Sequence, residues 1–169
     1  MRIELKYGLY TGIGICLWRM AEHFLGFTTT KLYIGQYSRA FAIFLPIVMI
    51  PIGIREKRDV EFDGSLVLYD GVKSGVTIAT IYGAITAAFF FIYQTYIGPD
   101  YVENLIEFER IRMVANGIAQ GDIATKIDAM RTMNSFPALV IFQFLGAIVS
   151  GLAISIISSA FLKHKVDVG

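Results

Sequence analysis

Four long apolar stretches divide the chain, over residues 5–27, 36–54, 72–97 and 136–162, with charged or turn-forming residues between them. Each is close to the roughly 20 residues a helix needs to cross a bilayer. Lipid offers no hydrogen-bonding partners, so a chain inside it must satisfy its own backbone, and a helix does so within one segment. The pattern therefore predicts an all-α integral membrane bundle of four transmembrane helices, a single membrane domain over 1–169. The second stretch contains Pro46 and Pro51 and is expected to end sharply at the charged run Arg55-Glu56-Lys57-Arg58-Asp59. Ser135 as a cap and Pro137 in the first turn suit the start of the fourth.

The segment 98–135 reads as a helical extramembrane insert between spans three and four. Gly98 and Pro99 open its first helix, with Pro99 in the first turn and Asp100 and Glu103 near the positive helix end. Val102, Leu105, Ile106 and Met113 supply an apolar stripe. Asn116 and Gly117 break it, and Asp122 is placed to cap a second helix with Ile123, Ile127 and Met130 on one face. A hairpin resting on the bundle or the membrane surface is favoured over a docking face for a partner.

Small residues recur every four positions within three of the stretches. The first has Gly8, Gly12 and Cys16, the third Gly71, Gly75, Ala79, Gly83 and Ala87, the fourth Ala147, Gly151, Ser155 and Ser159. That step keeps them on one helix face. In lipid, where water supplies no drive for helices to associate, small residues let backbones approach and pack. These ridges are read as helix–helix seams inside one chain. A homodimer face is the alternative.

Composition strengthens the membrane reading. Hydrophobic residues make up 55% of the chain and charged residues 17%, and mean hydropathy is +0.59. A soluble domain carries about 25% charged residues. Net charge is +1 and no basic patch with interleaved aromatics is present, so nucleic acid is not an expected partner. The single cysteine, Cys16, excludes an intrachain disulfide. The basic start, Arg2 and Lys6, leads into a stretch too long for a cleaved signal and is read as a retained first span.

One side of a four-span chain would hold Arg2, Lys6, Arg55, Lys57, Arg58, Lys73, Lys163 and Lys165, eight cations. The other would hold Lys31, Arg39, Arg110, Arg112, Lys126 and Arg131, six over a longer stretch. The excess points to both termini being cytoplasmic. His164, between Lys163 and Lys165, joins that basic end. Phe89, Phe90, Phe91, Tyr93 and Tyr96 are read as an aromatic belt at the outer interface.

The candidate chemistry sits where the first span carries Arg19, Glu22 and His23 within five residues. Steps of three and four place them on one helix face. Glu22 lies roughly 7 Å and Arg19 roughly 12 Å inside the end of that span. Arg39, at the start of the second span, returns to the depth of Glu22 and is the expected partner from another helix. Gln36, Tyr37 and His23 would line the same place. A polar clip between the first two spans is favoured over a pocket for an anionic headgroup or a proton. No spacing marks a nucleophile triad, a phosphate loop or a metal site, and nothing calls for a cofactor.

The run "LWRMAEHFLGFTTTKLYIGQYSRAFAIFLPI", followed by "GIREKRD", resembles a bacterial membrane family catalogued as domain of unknown function 4199. Glu22, the Thr-rich loop into Ile34-Gly35-Gln36-Tyr37, the proline-containing second span and the start of the third span after Lys73 carry the resemblance, which covers nearly the whole chain. It implies a small four-span membrane protein and no activity, ligand or catalytic residue.

The favoured expectation is a non-catalytic accessory or scaffold subunit, multi-pass in the bacterial inner membrane. Its partners would be the lipid bilayer and a membrane protein or further copies of itself. The alternatives are an oligomeric small transporter or channel subunit, or an anionic-headgroup-binding protein, using the Arg19, Glu22, His23 and Arg39 cluster. A lipid-modifying enzyme has only Glu22 and His23 to offer, about 100° apart around the helix.

Overall fold

The computed structural model describes residues 1–162, except for the side chains of Arg39, Phe136 and Pro137. The expectations for Lys163, His164 and Lys165, and for the side chain of Arg39, lie outside the described residues. Among the described residues six α-helices follow one another: α1 (Ile3–Phe24), α2 (Leu32–Glu61), α3 (Leu68–Ile92), α4 (Tyr101–Ala115), α5 (Gln120–Met133) and α6 (Phe136–Leu162). A π-helical turn, Tyr93–Ile97, extends α3. Among the described residues there is no strand.

Four helices form a bundle. α3 packs on α1 and α6, and α2 packs on α1, α6 and α3. The direction of each pair follows from which residues meet. A Cβ added to Gly8 would stand 2.6 Å from Ile81, and one on Gly12 3.0 Å from Ile85, so α1 and α3 run parallel. Gly71 faces Ser159, Gly75 faces Ser155, Gly83 faces Ala147 and Gly151 faces Ala79, so α6 runs antiparallel to α3. At most of these positions a side chain would collide with its neighbour, which is why the helices can lie so close. Such close packing is the main attraction between helices in lipid. Ala87 is buried on the same face of α3.

Among the described residues, three helical stretches are long and apolar enough to cross a membrane: Leu32–Glu61, Leu68–Ile97 and Ala138–Leu162. The expected count was four. α1 falls short on composition, because its 22 residues include Glu4, Lys6, Arg19 and Glu22.

Several helix ends differ from expectation. α2 does not stop at Arg55 but continues to Glu61, because Glu56 and Lys57 find partners on α1. Pro46 and Pro51 both lie within it, each removing a backbone donor. α4 begins at Tyr101, leaving Pro99 ahead of the helix rather than in its first turn, while Glu103 lies in that turn. Ala119, not Asp122, precedes α5, and Asp122 sits in its first turn. The α4–α5 pair does form a hairpin, with Ile106, Met113 and Ile123 buried.

The loop after α1 sets the candidate site. Gly26 has φ +78°, a left-handed conformation that glycine adopts without strain. Its N–H donates to the His23 carbonyl at 3.0 Å, and the Phe27 N–H to the Glu22 carbonyl at 2.8 Å. This pair of bonds terminates a helix by satisfying its last carbonyls. Gly35 in the first turn of α2 then lies against the Phe27 carbonyl, with no room for a side chain. The chain thereby reverses tightly and brings Ser38 beside Glu22.

Candidate functional site

Two polar clusters tie α1 into the bundle, one at each end. At the first, Glu4 pairs with Lys57 and accepts a 3.4 Å hydrogen bond from Ser74. Two residues further, Lys6 lies 2.8 Å from Glu56, whose carboxylate also accepts a 2.6 Å bond from the Tyr7 hydroxyl. Other charges in the last turns of α2 pair locally, Arg58 with Asp59 at 2.7 Å and Lys57 with Glu61 at 3.4 Å. The sequence reading missed Glu4 and Tyr7. The signal was available: an antiparallel α1–α2 pair with a short loop must bring residues 4–7 next to 56–57.

The second cluster is built on Arg19 and Glu22. Arg19 Nη1 donates to Glu22 Oε2 at 2.7 Å, and the Ser38 hydroxyl of α2 donates to Oε1. Glu22 is 1% exposed. Arg19 Nη2 also reaches the Tyr101 hydroxyl at 3.4 Å. Its guanidinium lies 5.1 Å from the centre of the Phe90 ring and 5.3 Å from that of Tyr101. Cation–π contact of this kind strengthens where water is excluded. His23 faces another way: its Nδ1 is 3.0 Å from the Tyr93 hydroxyl and 3.2 Å from Thr28 Oγ1. Trp18 donates its indole N–H to the Ser38 carbonyl at 3.2 Å and packs on Phe41.

Of the six residues expected here, the structure brings Arg19, Glu22 and His23 to one end of α1. Gln36 is near but serves another contact, accepting a 3.3 Å hydrogen bond from Arg112 of α4. Tyr37 is not part of the cluster: it is 74% exposed and turned away from the bundle. Thr28, Ser38, Phe90, Tyr93 and Tyr101 were not foreseen as contributors here. Phe90 and Tyr93, expected at the lipid interface, are buried instead, and Tyr96 remains outside. The π-helical turn belongs to this change, since a wider turn shifts the faces that successive residues present.

A cleft of about 430 Å3 opens beside the Arg19–Glu22 pair. α2 lines it with Ala42, Ile43 and Pro46, α6 with residues from Phe142 to Ile154, and Arg19, Glu22, Tyr82 and Phe90 also border it. Beyond Pro46 the two helices close up, and Ile50 and Ile54 are fully buried. The Tyr82 hydroxyl donates to the Ala147 carbonyl at 3.0 Å and lies 3.4 Å from Ser150 Oγ. The cleft is thus a largely apolar groove with an ion pair toward one end. Such an arrangement can hold an apolar chain and orient one polar group.

No curated protein and no solved structure matches the chain. The family described as "Protein of unknown function (DUF4199)" matches residues 6–164. That match covers nearly the whole sequence, reaching all four bundle helices and taking in the Arg19–Glu22 cluster, and the chain therefore belongs to the DUF4199 family.

Proposed function

We propose that this is a four-span, non-catalytic accessory protein of the bacterial inner membrane, with both termini cytoplasmic and α1 as the remaining span. One observation carries the reading: the outer faces of the bundle are broadly apolar, while carboxylates are held inside it on partners. Glu4 and Glu22 are buried, while Phe41, Phe44 and Ile47 of α2 and Phe142, Val149 and Phe161 of α6 are exposed. Water would disfavour that surface, and lipid accommodates it. α1 supports its own inclusion. It lies beside α3 from Glu4, against Ser74, to His23, against Tyr93, and that step rises about 28 Å. The hydrocarbon core is about 30 Å thick.

The non-catalytic part rests on how the polar groups are engaged. Both Glu22 oxygens already accept hydrogen bonds, from Arg19 and Ser38, and His23 is held by Tyr93 and Thr28. Neither is poised against the other as a base and nucleophile would be. The wide apolar faces of α2 and α6 suit lipid or a neighbouring membrane protein.

Cysteine labelling tests the topology. In a Cys16→Ala background, Thr29→Cys and Ser65→Cys should react with an impermeant maleimide from opposite faces of the membrane. Reaction from the same face would contradict it. Mild-detergent extraction should co-purify one recurrent membrane partner or a defined oligomer, and a lone monomer would count against an accessory role. A headgroup-binding or transport role is the second reading, favoured by the cleft beside Arg19 and Glu22. For transport, Glu22→Gln should alter ion flux in liposomes, and no flux through the unmodified protein would end that version.

A further inference from the structure

We propose that the cleft between α2 and α6 is a lateral binding site for a membrane phospholipid. One acyl chain occupies the groove, and an ester or phosphate oxygen of the head accepts a hydrogen bond from Arg19. The inference rests on the membrane reading above and goes further, by naming the ligand and its seat.

Three observations carry it. The first is shape. The volume, about 430 Å3, falls in the range of about 300–1,000 Å3 typical of small-molecule sites. Ile43, Phe142 and Ser150 on its rim are exposed, so it opens sideways, toward what would be lipid, rather than toward either end of the bundle.

The second is the donor inventory of Arg19. A guanidinium has five N–H donors. Among the described residues, Glu22 and Tyr101 take one each. The guanidinium is fixed by these bonds and by the Phe90 and Tyr101 rings, and it borders the cleft. Free donors at a dry site favour an incoming acceptor. A bare hydrocarbon chain would not supply one, whereas a phospholipid brings several.

The third is Gly146. It lies within α6 and lines the cleft, yet a Cβ there would meet nothing within 4 Å. The seam glycines 71, 75, 83 and 151 are each pressed against a neighbour. Glycine inside a helix is less favourable than alanine, because it loses more backbone freedom on folding. No packing contact demands glycine at 146, and its effect is to leave the cleft wall open.

Trp18 is the only tryptophan and lines the cleft, which gives a direct readout. The purified full chain in detergent would be titrated with a phospholipid carrying brominated acyl chains. Trp18 fluorescence should fall saturably, with one lipid per chain. Gly146→Leu, which fills the groove, should abolish the saturable phase while its melting temperature stays within a few degrees of the unmodified protein. A brominated hydrocarbon of equal chain length should bind at least tenfold more weakly. Quenching that is non-saturable and identical in Gly146→Leu would overturn the site. Equal binding of the hydrocarbon would overturn the role of Arg19. Failure of the membrane reading has a different signature: a chain that stays dispersed without detergent and is quenched by neither probe.

Discussion

The Tyr93 hydroxyl lies 3.0 Å from Nδ1 of His23, joining the π-helical turn after α3 to the last turn of α1. Tyr93 is fully buried, with its ring edge-on to those of His23 and Tyr101. It therefore links three helices at one point. Tyr93→Phe keeps the ring and removes the hydroxyl, leaving Thr28 as the partner of Nδ1 among the described residues. The expected loss is about 1 kcal/mol. Thermal unfolding in detergent measures it. Tyr37→Phe, on an exposed residue, should change stability by less than about 0.5 kcal/mol.

The opposite end of the bundle should respond to acid. Glu4 lies just ahead of the stretch read as the first span. Burial pushes its carboxyl up, but hydrogen bonds and charge from Lys57, a backbone bond and Ser74 outweigh that, holding it below its ordinary 4.5. A carboxyl lowered in the folded state adds stability above its unfolded value and loses it as pH falls through the folded value. The unmodified protein should be more stable than Glu4→Gln at pH 7. That margin should shrink once pH drops below about 4.5. Melting curves of the two proteins across pH 3 to 7 would show it, and parallel curves would contradict it.

The α3–α6 seam should tolerate little. Gly75 faces Ser155 with no space for a Cβ, so Gly75→Leu must separate the helices. About 3 kcal/mol or more should be lost, with a matching fall in melting temperature. Ser159 gives the contrasting case on the same seam. Its hydroxyl is buried and finds no hydrogen-bond partner among the described residues. Ser159→Ala should be neutral or slightly stabilising, since it removes an unsatisfied group.

These residues show what a sequence can and cannot reveal. The four-residue step from Gly71 to Gly83 and from Ala147 to Ser159 is local information, because helix geometry alone puts such residues on one face. In the structure Gly71 meets Ser159 and Gly83 meets Ala147. The Arg19–Glu22 bond is local too, a three-residue step on one helix. What was not legible depends on other helices. Tyr101 reaches Arg19 only because the chain after the π-helical turn folds back over the end of α1. Tyr37 and Ser38 are adjacent, yet one faces outward and the other binds Glu22. Which of the two points inward depends on how α2 is rotated, and the tight loop at Gly26 and Gly35 fixes that rotation. The run from Arg55 to Asp59 reads as a stop from its charge, but α1 supplies partners that let the helix continue.

The central claim is that Arg19 and Glu22 act as one buried unit that seats α1 among the other helices. A double-mutant cycle tests it most directly, using Arg19→Met, Glu22→Gln and the double variant, each unfolded thermally in the same detergent. Removing either partner from a buried pair costs about 3–5 kcal/mol, because the other is left charged and unmatched. Each single variant should therefore be strongly destabilised. The double variant should lose at least about 2 kcal/mol less than the sum of the two. Losses that simply add would contradict the claim.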